Sequence, residues 1–161
     1  MSYALTYGSD LFRISPPAMS EDAKKLDASL SMIRTHNDES IFLGWRRELK
    51  EKVQECVERC AEEGWDGEDA LPISEPSQKA AKLFIDLLPE AAEIPDIEPE
   101  NMGNFSFDWS RGKNKILSIS VFPEKAVFAG IFGNDRLHGE VVIQNEIPEK
   151  INSLLHQYFS R

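Results

Sequence analysis

"FSFDWSRGKNKILSISVFPEKAVFAGIFGNDRLHGEVVI", residues 105–143, is the stretch that decides the fold. Within it the apolar residues recur every second position, the period of a strand with one face buried. "FSFDW" sets Phe105, Phe107 and Trp109 on one side and Ser106 and Asp108 on the other. "KILSISVF" does the same with Leu117, Ile119 and Val121. "AVFAGIF" and "LHGEVVI" follow, and the short polar breaks "SRGKN", "PEK" and "GNDR" have the residues of tight turns. Four strands joined by such short turns predict an antiparallel meander.

Working outward, the period on both sides is helical. Towards the C-terminus, "IPEKINSLLHQYF" places Ile147, Ile151, Leu154, Leu155 and Tyr158 or Phe159 on one helix face. Towards the N-terminus, Phe42, Trp45, Leu49, Val53, Cys56 and Cys60 recur at threes and fours. This predicts an amphipathic helix from Ile41 that Gly64 ends, with Glu48–Lys52 and Glu55–Arg59 as i,i+4 pairs on its outer face. A second helix is expected from a Ser74 cap, with Pro76 in its first turn, Ala80, Ala81, Phe84, Leu87 and Leu88 inward, and Pro89 closing it. "PEAAEIPDIEPENMGN", residues 89–104, reads as an acidic, proline-broken connector. The order predicts a single α+β domain over residues 39–161: two helices, a four-stranded antiparallel meander, then a C-terminal helix. Residues 1–38 are weakly patterned and read as an N-terminal arm or short helix.

A chain of 161 residues can bury a full core without staples. No run approaches a membrane span, and the N-terminal residues lack the basic and apolar regions of a signal peptide, so a cytoplasmic location is expected. The two cysteines, Cys56 and Cys60, stand four apart on the apolar seam, which predicts buried reduced thiols rather than half of a zinc site. The net charge of −10 is concentrated. Between residues 61 and 100 twelve acidic residues face two basic ones, whereas the flanks are nearly neutral. Such a block repels nucleic acid, so direct DNA or RNA binding is not expected.

Catalytic signatures are absent from the sequence: it has no phosphate-binding loop, nucleophile elbow or zincin helix. His36, His138 and His156 lie in three different elements, and a lone His138 reads more readily as a structural histidine than as an acid–base group. The densest local signal is "EGWDGEDALP", Glu63 to Pro72. Gly64, Trp65, Asp66, Gly67, Ala70 and Pro72 suit a structural corner between the two helices. The alternative is a cation loop on Asp66, Glu68 and Asp69, although the spacing differs from the twelve-residue calcium loop.

This corner, followed by a helix ending "LLP", a proline-rich link and a strand with "FSFDW", resembles a group of small, largely uncharacterised bacterial proteins. The matching positions are Gly64, Trp65, Asp66, Gly67, Ala70, Pro72, Phe84, Pro89, Gly103 and Trp109. The resemblance spans residues 60–143 and implies an association with mobile elements and toxin–antitoxin-like or defence gene pairs, with no catalytic residue carried over.

The charge segregation leads to the functional expectation. It is a non-enzymatic, acidic protein-binding module that masks or inhibits a partner with a basic surface, of antitoxin, immunity or inhibitor type, with nucleic-acid mimicry as a sharper form. Glu68, Asp69, Glu93, Asp96, Glu98 and Glu100 are the expected contact residues, with no cofactor or metal. Two rivals stand beside it: a metal-assisted hydrolase built on the 66–69 carboxylates, and a structural subunit of a larger assembly.

Overall fold

The computed structural model describes residues 44–160. The expected N-terminal arm (1–38), Phe42 and His36 lie outside the described residues. Helix α1 is described over 44–59, helix α2 spans Glu75–Leu87 and helix α3 spans Glu149–Tyr158. Between α2 and α3 the chain forms β1 (Asp96–Pro99), β2 (Phe105–Ser110), β3 (Lys115–Val121), β4 (Lys125–Phe132) and β5 (Asp135–Val142). The five strands make one antiparallel sheet in chain order.

The α+β class and the antiparallel meander stand, but the sheet has five strands rather than four. The additional strand, β1, lies inside the stretch expected to be a connector, so the chain leaves α2 and enters the sheet before Phe105. Its signal was hidden because its one buried apolar residue, Ile97, is flanked by Asp96 and Glu98 and closed by prolines. The prolines fit an edge strand. Glu100 N–H donates to Asn104 C=O at 2.9 Å, so alternation along the ladder turns Glu98 and Asp96 towards β2 and Pro99 outward. The missing N–H of Pro99 therefore costs the sheet no hydrogen bond.

Register makes the sheet one-sided. Ile97, Phe107 and Ile119 stand opposite one another across three strands, with Phe105 beside Val121 and Trp109 beside Leu117. Ala126 and Phe128 of β4 continue this face. All of these side chains are buried and share one core with Trp45, Leu49, Val53, Phe84, Ile85, Ile151, Leu154 and Leu155 of the helices. Phe84 meets Phe107 edge-on, and Phe132 stacks on Tyr158. The other face carries Ser106, Asp108, Ser118, Ser120, Ala129, His138 and Glu140. Most of it faces solvent, although Ser106 is buried.

Helix ends follow local chemistry with two departures. Ser74 caps α2, accepting the Ser77 N–H at 3.2 Å, and Pro76 sits in the first turn where its lost donor is harmless. Helix α1 stops at residue 59 rather than running to Gly64, because Cys60 C=O accepts from Ile73 N–H and the chain turns there. The expected Glu48–Lys52 and Glu55–Arg59 pairs are not among the ion pairs of the described residues. Instead Lys50 reaches across to Asp86 of α2 at 2.6 Å, and Arg46 Nη2 donates to the Leu88 carbonyl at 2.7 Å. These contacts tie α1 to the C-terminal end of α2, alongside i,i+4 pairs within each helix, Arg47–Glu51 in α1 and Lys79–Glu75 in α2. Among the described residues no helix is long and apolar enough to cross a membrane.

Candidate functional site

The "EGWDGEDALP" corner folds back on itself. Gly64 and Gly67 hold positive φ of 75° and 89°, the left-handed conformation that glycine accepts without strain. Gly64 N–H donates to Ala70 C=O and Gly67 N–H to Gly64 C=O. One carboxylate oxygen of Asp66 accepts the N–H groups of Glu68 and Ala70, at 2.9 and 3.3 Å, a turn-building role typical of aspartate. Ala70 is fully buried, and Trp65 Nε1 donates to Leu71 C=O at 2.9 Å. Trp65 is half-buried, packed against the core with part of its ring in solvent, so it is less completely enclosed than a core anchor. Trp109 is the buried one, its Nε1 donating to Glu93 C=O at 2.8 Å.

The corner docks on the β1–β2 hairpin. Leu71 N–H donates to Asn101 C=O at 2.7 Å. Gly103, with φ +74°, closes the three-residue hairpin turn, and a Cβ there would stand 2.7 Å from the Pro72 carbonyl oxygen. Pro72 therefore matters through its carbonyl, its ring being exposed.

Between α1, this corner and β1 lies a cavity of about 360 Å³, lined by Lys52, Glu55, Cys56, Arg59, Trp65, Ile97, Glu98 and Pro99. The spacing rules did not reveal it, since it joins three segments. The one local hint was Cys56 and Arg59 a turn apart. Arg59 turns from Glu55 to the thiol, its Nη2 lying 3.5 Å from Cys56 Sγ. Burial pushes the Cys56 thiol above its ordinary range, with Arg59 pulling more weakly the other way. Both cysteines are buried and free.

The six expected contact residues divide into two kinds. Glu93 accepts from Arg111 Nε at 2.6 Å, while Arg111 Nη2 also donates to the Ser160 carbonyl at 2.8 Å. That clamp ties the α2–β1 link to the chain end and occupies the Glu93 carboxylate. Glu100 accepts from Asn104 Nδ2 and from Ser120 Oγ, the latter at 2.9 Å, so it braces the hairpin. Glu68, Asp69, Asp96 and Glu98 are exposed, and among the described residues their carboxylates make no ion pair or hydrogen bond. The cavity brings Trp65 of the corner beside Glu98 of β1, whereas Glu68, Asp69 and Asp96 do not line it. Among the described residues no three His, Cys, Asp or Glu side chains converge as a metal-binding group, and Asp66 is engaged by its turn. His138 is exposed on β5 opposite Ala129, and His156 is exposed on α3.

No family model, curated protein or solved structure matches this chain. The resemblance of the Gly-Trp-Asp-Gly corner therefore rests on its residues alone.

Two predictions follow from the corner and the cavity. Gly103→Ala and Gly112→Ala impose the same backbone strain, since both positions have φ of +74°, but only Gly103 faces a backbone oxygen. Urea denaturation should show about 1–2 kcal/mol lost at Gly112, from the left-handed conformation, and a clearly larger loss at Gly103. Equal losses would mean that the hairpin does not bear on the corner. For Cys56 the raised thiol pKa means that its contribution to stability is complete at neutral pH and is lost as pH rises through the folded-state value. Cys56→Ala should flatten the alkaline fall of stability measured by denaturation between neutral and strongly alkaline pH. An unchanged alkaline limb would contradict the burial of that thiol.

Proposed function

We propose that this protein is an acidic protein-binding module that masks a partner through the β1 side of the domain. The observation that carries the reading is the set of four exposed carboxylates, Glu68, Asp69, Asp96 and Glu98, left without counter-ions among the described residues. A structural charge is generally spent on a partner, as Glu93 and Glu100 are. Charges kept free in one region raise the local negative potential and steer a basic surface into contact. Lys79 and Lys82 are the only cations between residues 61 and 100, and Lys79 is paired with Glu75 at 2.6 Å. Little within that block offsets the potential, and the cations that line the cavity with Glu98 are Lys52 and Arg59 of α1. Docking of the corner on the hairpin presents both segments on an ordered backbone, which lowers the ordering cost at association. The corner's resemblance to proteins of toxin–antitoxin-like or defence gene pairs is consistent with a masking role, and a basic protein surface is the occupant this electrostatics favours.

The test starts from the protein that co-purifies with the natively expressed chain. Reversal of Glu68, Asp69, Asp96 and Glu98 to lysine should slow association with it by at least about tenfold, and salt should slow the wild-type reaction. Folding stability should move by no more than about 0.5 kcal/mol per site, as for exposed substitutions generally. An association rate indifferent to both salt and reversal would exclude this surface as the steering element.

A further inference from the structure

We propose that the outer edge of β5 pairs with the β5 edge of a second copy of this chain, joining two sheets into one ten-stranded antiparallel sheet. The two edges of the sheet are built differently. β1 is four residues long, bordered by Pro95 and closed by Pro99, devices that blunt an edge. β5 is eight residues long, contains no proline, and pairs with β4 without a bulge. Among the described residues no strand lies on its outer side.

Hydrogen-bond alternation says which groups that edge offers. Phe122 N–H donates to Lys125 C=O at 2.8 Å, which turns Lys125, Val127, Ala129 and Ile131 towards β3. Ala126, Phe128, Gly130 and Phe132 then face β5 and bond Val141, Gly139, Leu137 and Asp135. The N–H and C=O groups of Arg136, His138, Glu140 and Val142 therefore point outward, and all four residues are exposed.

The sequence of this edge is self-complementary in one register. With the two-fold axis at His138, antiparallel pairing sets Arg136 of each copy opposite Glu140 of the other, so two opposite-charge pairs form on the same face. On the inner face the same register sets Leu137 against Gly139, whose missing side chain is replaced by the Phe128 ring: a Cβ there would stand 2.7 Å from Phe128 Cζ. A slip of two residues separates Arg136 from Glu140. A slip of four sets Arg136 against Arg136 or Glu140 against Glu140. Lys125, 2.7 Å from Glu140, remains beside the new pair and adds a second cation to it.

The test is sedimentation velocity over about 1–100 µM, the range in which a modest interface is populated. The wild type should shift from monomer to dimer across it. Arg136→Glu and Glu140→Arg, which each replace attraction by repulsion, should each weaken self-association by roughly tenfold or more. The double swap should restore it, and an equimolar mixture of the two single variants should form the heterodimer. Restoration separates the interface from any loss of the Lys125–Glu140 pair, which the swap does not repair. His138→Pro removes an outward N–H and should fold with the monomer's circular dichroism yet fail to dimerise. A wild type that stays monomeric throughout, or a His138→Pro variant that dimerises as well as wild type, would overturn the proposal.

Discussion

Phe84 of α2 meets Phe107 of β2 edge-on, ring centroids 4.8 Å apart with 66° between the planes, and through that contact the second helix grips the sheet. Both side chains are fully buried. Phe107 lies near the middle of the inner face, with Ile97 on one side and Ile119 on the other, so its position depends on three strands at once. An aromatic pair of this geometry adds about 0.5–1.5 kcal/mol beyond the area it buries. β1 is the outermost strand on that side of the sheet and carries Asp96 and Glu98.

The corner is the second constraint, and it is a backbone constraint. Two glycines in the left-handed region, one aspartate gathering two N–H groups and one hairpin glycine pressed against the Pro72 carbonyl hold its backbone in one shape. That economy explains why the most conspicuous residues of the sequence are spent on shape. The charges of the same segment, Glu68 and Asp69, stand outside this network and are exposed.

The sheet could be read from the sequence because its apolar residues alternate over whole strands, and a period of two survives even the glycines at 130 and 139. β1 could not, since one buried isoleucine between two acids carries no period, and its prolines argue against a strand unless the hydrogen-bond phase of the hairpin is known. Helix α1 was legible from its seam, but its end was not: Cys60 stops it through a bond to Ile73, thirteen residues away. The acidic block was visible as composition, yet composition does not distinguish Glu93 and Glu100, which brace the fold, from Glu68, Asp69, Asp96 and Glu98, which do not. That division depends on Arg111, Asn104 and Ser120, all distant enough in sequence or specific enough in geometry to escape pattern reading. The cavity around Cys56 was hidden for the same reason.

The central claim is that the helices grip a one-sided sheet through its aromatic inner face, with the Phe84–Phe107 contact at its centre. A double-mutant cycle on Phe84→Leu and Phe107→Leu, with stabilities from urea denaturation, tests it most directly. The account predicts that each single change destabilises the domain and that the two are coupled by about 0.5–1.5 kcal/mol. Additivity within about 0.3 kcal/mol would mean that the rings do not meet in solution, and would contradict it.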